Sequence, residues 1–98
     1  MIETWDKPDA GTLRAEHRAA HLDYLAQNAP RLLACGAKLT DDGNDGGGSF
    51  YIVDVDSRTQ AEVFLAGDPF AQAGLFERNS ITRWRKAYLD RTSYLPKA

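Results

Sequence analysis

The stretch SFYIVDV, residues 49–55, decides the fold because it is apolar at alternate positions of both parities. Phe50 and Ile52 leave an extended chain on one side, and Tyr51, Val53 and Val55 leave it on the other, since successive strand side chains alternate. Such a strand has to be covered twice. Upstream, RLLACGAKL (residues 31–39) has strand composition, and TDDGNDGGG (residues 40–48) supplies the turn residues of a hairpin loop between the two. Helices can cover one side of a small sheet. The second apolar side calls for a partner, most economically the same face of a second copy, so the sequence predicts a homodimer.

On the N-terminal side, MIETW (residues 1–5) is a short strand closed by DKPDAG (residues 6–11), whose Pro8 and Gly11 belong to a turn. TLRAEHRAAHLDYLAQ (residues 12–27) is rich in helix formers, with Ala15, Ala19, Leu22 and Ala26 at the spacing of a buried stripe and Thr12 or Asp9 as a cap. Pro30 disfavours helical geometry at Ala29 and ends it. On the C-terminal side, SRTQAEVFLAG (residues 57–67) opens with a Ser57/Gln60 capping box, places Ala61, Phe64 and Leu65 on one stripe, and stops at Gly67 as a left-handed terminator. Asp68-Pro69 then reads as the cap and first residue of one more turn, ending at Gly74. FERNSITRWRKAY (residues 76–88) supplies the last strand, and LDRTSYLPKA (residues 89–98) an extended or loosely helical tail. The order βαββαβ predicts an α+β, ferredoxin-like sandwich, its antiparallel sheet carrying two helices on one face. A single domain is expected over residues 1–98, with its core in about residues 2–86.

With 98 residues and 43% hydrophobic content, the chain suffices for one folded unit. Charge is unevenly placed: residues 1–75 hold 6 basic and 12 acidic groups, residues 76–98 hold 6 and 2. An acidic body repels phosphate, which argues against nucleic acid. The RNA-binding domains that share this element order are disfavoured too, because Phe50 and Tyr51 are adjacent, hence on opposite faces, and no basic residue accompanies them. Cys35 alone cannot form an internal disulfide, and there is neither a leader nor an apolar run of about 18–20 residues, so a reducing, cytoplasmic setting away from membranes is expected. Within LLACGAKL, Cys35 reads as a buried, inert thiol.

The first helix contains RAEHRAAH (residues 14–21), with Arg14, Arg18 and His21 on one flank and His17 beside them. His17 and His21 have the spacing of a metal-binding pair, but Arg18 stands where a zinc protease needs glutamate and no third ligand is evident, so no metal is expected. DDGNDGG (residues 41–47) fails as a calcium loop, with Gly43 at a ligand position and Ile52 in the place of the bidentate glutamate. Without a phosphate-cradling loop ahead of a helix, no nucleotide cofactor is expected either.

In order and spacing, RAAHLDYL, LLACGAKLTDDG, GSFYIV and DPFAQAGLFE followed by ITRW resemble the YCII-related (YciI-like) family over nearly all of residues 2–86. The most specific parts are the Arg-x-x-His-Leu helix and the Asp-Pro-Phe segment. The resemblance implies a ferredoxin-like fold pairing as a dimeric α+β barrel, with His21 and Asp68 as an active pair in a cleft beside the sheet. Cys35-Gly36-Ala37 departs from the family's usual Ala-Gly-Pro at this point.

An imidazole oriented by a carboxylate can move a proton without a cofactor, which suits isomerisation or elimination. On this reading His21 is the base, Asp68 fixes its tautomer, and Arg18 or Ser49 binds a substrate anion. Two alternatives stand beside it. Asp68 can be a cap and the pair a structural tie, in which case the protein is a non-catalytic dimeric module for a small anionic or aromatic ligand; likewise Ser49 can bond its own backbone at the hairpin end.

Overall fold

The computed structural model describes residues 1–97. Its main elements are β1 (Ile2–Asp6), α1 (Gly11–Gln27), β2 (Leu32–Leu39), β3 (Asp45–Val53), α2 (Arg58–Gly67), α3 (Pro69–Gln72) and β4 (Phe76–Ile81), followed by the two-residue strands β5 (Tyr88–Leu89) and β6 (Thr92–Ser93). The first four strands make one antiparallel sheet in the order β2-β3-β1-β4. This is the ferredoxin-like α+β arrangement, with the helices on one face.

The core lies between sheet and helices. Ile2 and Tyr51 project from the sheet onto Ala61, Phe64 and Leu65 of α2, and Tyr24 and Leu25 of α1 close the cluster. A second, smaller cluster of Ala10, Phe70 and Leu75 packs around α3. Ser57 caps α2 by accepting from the Gln60 amide, and the Gln60 side chain reaches back to the Asp56 amide, so a capping box forms with its return contact one residue early.

Four local expectations are corrected. The start of α1 has no side-chain cap: Ala10 occupies the cap position and Asp9 lies in the left-handed region at φ 58°. The stripe of Ala15, Ala19, Leu22 and Ala26 faces outward, and α1 turns its Arg14, His21, Tyr24 and Leu25 side to the body. Alanine has little area to bury, whereas those side chains find partners there. Residues 45–48 belong to β3 rather than to a loose loop, because a Cβ at Gly48 would strike the Thr4 carbonyl of β1 and one at Gly46 would meet the Lys38 carbonyl at 2.9 Å. Gly67 is the last residue of α2 and is not left-handed; a Cβ there would come within 2.5 Å of the Tyr24 hydroxyl, and that approach is what requires glycine.

The last strand is also shorter than residues 76–88. Its ladder with β1 ends at the Ile2–Ile81 pair, and Met1 and Thr82 exchange the final backbone bonds at 2.6 and 2.8 Å. Beyond them the tail forms a hairpin over an Asp90-Arg91 turn, both residues at positive φ, as a two-residue hairpin turn demands. No side chain of residues 83–97 enters either core cluster.

Candidate active site

Asp68 ends α2 and starts α3. Its extended backbone (φ −69°, ψ 128°) breaks the helical path, Pro69 fixes the first residue of the new turn, and Oδ1 accepts from the Phe70 amide at 2.9 Å. The same carboxylate, fully buried, receives His21 from α1: Nδ1 lies 2.9 Å from both Oδ1 and Oδ2. The Tyr51 hydroxyl donates to Oδ2 at 3.0 Å from β3. Three elements therefore meet at one carboxylate. The imidazole is stacked on the Phe70 ring, 4.0 Å between centroids and 13° from parallel, so its plane is fixed as well as its Nδ1.

The other ring nitrogen is open. No described residue partners Nε2, yet among the described residues no buried side-chain polar atom lacks a partner, so Nε2 reaches solvent even though the His21 side chain is only 10% exposed. Phe70 also meets Arg14, which approaches its ring at 4.8 Å, pairs with Asp6 through Nε and Nη2 at 2.9 and 3.2 Å, and places Nη2 3.4 Å from the Ser49 hydroxyl. Ser49 is buried, its amide donating to Thr4 Oγ1 across the β1–β3 pair.

Burial pushes the Tyr51 phenol far above its ordinary range, with the Asp68 charge and hydrogen bond adding to the effect. Burial, then the Asp68 charge, likewise raises the Cys35 thiol, as expected of an unreactive cysteine. Tyr24 is raised for the same two reasons, Arg31 opposing them, and donates to the Phe64 carbonyl at 2.8 Å.

A family model describing the YCII-related domain matches residues 1–85. The chain belongs to the YCII-related family. Among its relatives are the proteins named YciI of Escherichia coli and Shigella flexneri, each 32% identical over 95 residues, spanning 90% of this chain and 97% of theirs. A solved structure, 5-chloro-2-hydroxyhydroquinone dehydrochlorinase from Burkholderia phenoliruptrix AC1100 in complex with 2,5-dihydroxybenzoquinone, superposes with a TM-score of 0.77 at 34% identity, covering 86% of this chain and 90% of that one.

Within this YCII-related chain, His21 and Asp68 are in contact and Ser49 lies two residues from Tyr51 on the same side of β3. Arg18 is exposed on α1, and the arginine that reaches Phe70 and Ser49 is Arg14. Arg14, Asp6, Tyr51 and Phe70 are site residues to which the sequence alone assigned no role. A signal existed for Arg14, two helical turns before His21 on one flank; none existed for Tyr51, which reads as an ordinary core aromatic. A groove of about 500 Å³ opens at the opposite end of the sheet, between the start of α2 and the root of the tail, and shares no residue with this site. No helix among the described residues is long and apolar enough to cross a membrane.

Proposed function

We propose that the protein is a cofactor-independent enzyme of small-molecule metabolism in which His21 Nε2 carries out general acid–base chemistry, removing a proton from one position of the substrate and delivering one to another. Isomerisation and elimination are the reaction types this serves. The observation that supports it is the asymmetry of the imidazole: Nδ1 is held by a buried carboxylate, while Nε2 is free and reaches solvent. Asp68 orients the ring and stabilises the imidazolium that forms, and Arg14 and Ser49, with Arg18 further out, are the groups available to an anionic substrate oxygen.

The structural neighbour's name adds a substrate class, a hydroxylated aromatic that loses chloride and hydrogen. We extend that class, small anionic or aromatic compounds, to this chain. Calorimetry with 2,5-dihydroxybenzoquinone and chloride release from 5-chloro-2-hydroxyhydroquinone test it. His21→Ala should retain binding and lower turnover by roughly 10²-fold or more. Turnover undiminished in that variant sinks the catalytic role. Because Asp68 also caps α3, the pair has a structural duty of its own, and binding without turnover by the unmodified protein leaves the binding-module reading in its place.

The same reading includes a homodimer joined through the helix-free face of the sheet, where Phe50 and Ile52 are only half-buried. Light scattering at micromolar concentration should return twice the 10.9 kDa chain mass, and a clean monomer would refute this assembly.

A further inference from the structure

Tyr51 combines features that packing alone does not require. Its ring is 1% exposed and held edge-on against Phe64 (5.7 Å, 75°) and His21 (6.5 Å, 77°), where phenylalanine would fill nearly the same space. Its strand register is pinned on both sides, by Ile2 of β1 and Cys35 of β2. The hydroxyl therefore has one place to be. A buried phenol needs a partner, and this one has Asp68 Oδ2.

The carboxylate is clamped at both ends. The Phe70 amide holds Oδ1, Tyr51 holds Oδ2, and Nδ1 sits equidistant between them. A carboxylate held at one oxygen can still turn about its last bond; held at two, it cannot. Two residues before Tyr51 on the same side of β3, the Ser49 hydroxyl accepts from Arg14, whose partner is Asp6. Two polar groups thus lie side by side, Asp6–Arg14–Ser49 and Tyr51–Asp68–His21.

We infer that Tyr51 is a positioning residue for the His21 imidazole, fixing Asp68 square to Nδ1 and moderating the negative charge that the imidazole feels. It rests on the reading of His21 as the proton-transfer group, but its test needs no substrate. The titratable groups that feel the Asp68 charge are Tyr24 from α1, Cys35 from β2 and Tyr51 from β3, and the Asp6–Arg14 ion pair reaches the neighbourhood through Phe70 and Ser49. Tyr24 senses the same carboxylate but gives its proton to the Phe64 carbonyl, which makes it the internal control.

The experiment is a pH titration of the ligand-free protein followed by the ¹⁵N signals of the His21 ring. Removing a donor from a carboxylate leaves it more charge to share with an imidazolium, so the His21 midpoint in Tyr51→Phe should rise by about half a pH unit or more, with broadening of the Nδ1 signal. Tyr24→Phe should leave both unchanged. Superimposable titrations of Tyr51→Phe and the unmodified protein overturn the inference, as does an equal displacement in Tyr24→Phe. Should Tyr51→Phe fail to melt cooperatively, 3-fluorotyrosine incorporated in the Tyr24→Phe protein is read instead; its more acidic phenol donates more strongly to Asp68, so the midpoint should move down, and an unmoved midpoint there overturns the inference. A displaced midpoint in a protein that turns nothing over keeps the positioning role and ends the catalytic reading; turnover that depends on His21 with an unmoved midpoint does the reverse.

Discussion

The two faces of the sheet solve opposite problems. On the helix side, Thr4, Ser49, Tyr51, His21 and Asp68 are buried together, and among the described residues every buried polar side-chain atom has a partner. On the other side, Trp5 is met by Lys38 from the β2 side at 4.1 Å and by Arg78 from β4 at 3.7 Å, Lys38 also pairs with Glu3 at 3.2 Å, and Phe50 and Ile52 stay half-covered. Charged side chains laid over aromatics shield apolar surface cheaply when nothing better covers it. The helix side is complete within one chain; the open side is dressed by flexible cations that a partner's surface can displace.

Breaking the complete side should have the largest effect. Asp68→Ala removes a helix cap and strands the Tyr51 hydroxyl and His21 Nδ1 in the interior, so unfolding in urea should show a loss of roughly 3–5 kcal/mol. Asp68→Asn keeps the cap and should lose clearly less.

Alkaline pH reaches the same face next. The Tyr51 phenol is raised in the folded state, so above about pH 10, the ordinary tyrosine value, the unfolded chain gives up a proton that the folded chain keeps. Its contribution is fully present below that pH and is lost as pH rises, by up to about 1.4 kcal/mol per unit. Tyr51→Phe should flatten this slope in melts between pH 9 and 11; an unchanged slope would show that the phenol ionises freely.

Charging the open face should act on assembly rather than on folding. Phe50→Glu should weaken the homodimer proposed above at least tenfold, about 1.4 kcal/mol, in a light-scattering dilution series while the melt of the single chain shifts little. The smallest effect belongs to the tail. Ending the chain after Arg85 should alter unfolding free energy by less than about 0.5 kcal/mol, because residues 86–97 add nothing to either core cluster.

Much of this was legible in the sequence. The alternation in residues 49–55, the Ser57 cap and the Asp68-Pro69 start were readable because each depends on neighbours along the chain. What escaped depends on neighbours in space. Gly46 and Gly48 look like loop glycines until the Lys38 and Thr4 carbonyls are beside them, and Gly67 looks like a helix terminator until the Tyr24 hydroxyl arrives. The alanine stripe of α1 had helical spacing but too little area to decide which side is buried. In the site, the contact of His21 with Asp68 was readable from the family resemblance, whereas the Tyr51 clamp was not, since a tyrosine in a core strand gives no sign of where its hydroxyl ends.

Asp68 is the only residue between the last position of α2 and the first of α3. One added residue at that junction would turn α3 by about 100° and carry it about 1.5 Å along its axis if absorbed as helix, and one deleted residue would do the opposite. Either change parts the carboxylate from His21 and Tyr51 while leaving both of those side chains in place. Relatives that use the pair should therefore vary in side chains around this point but not in spacing, and a relative with a longer or shorter junction should have given the pair up.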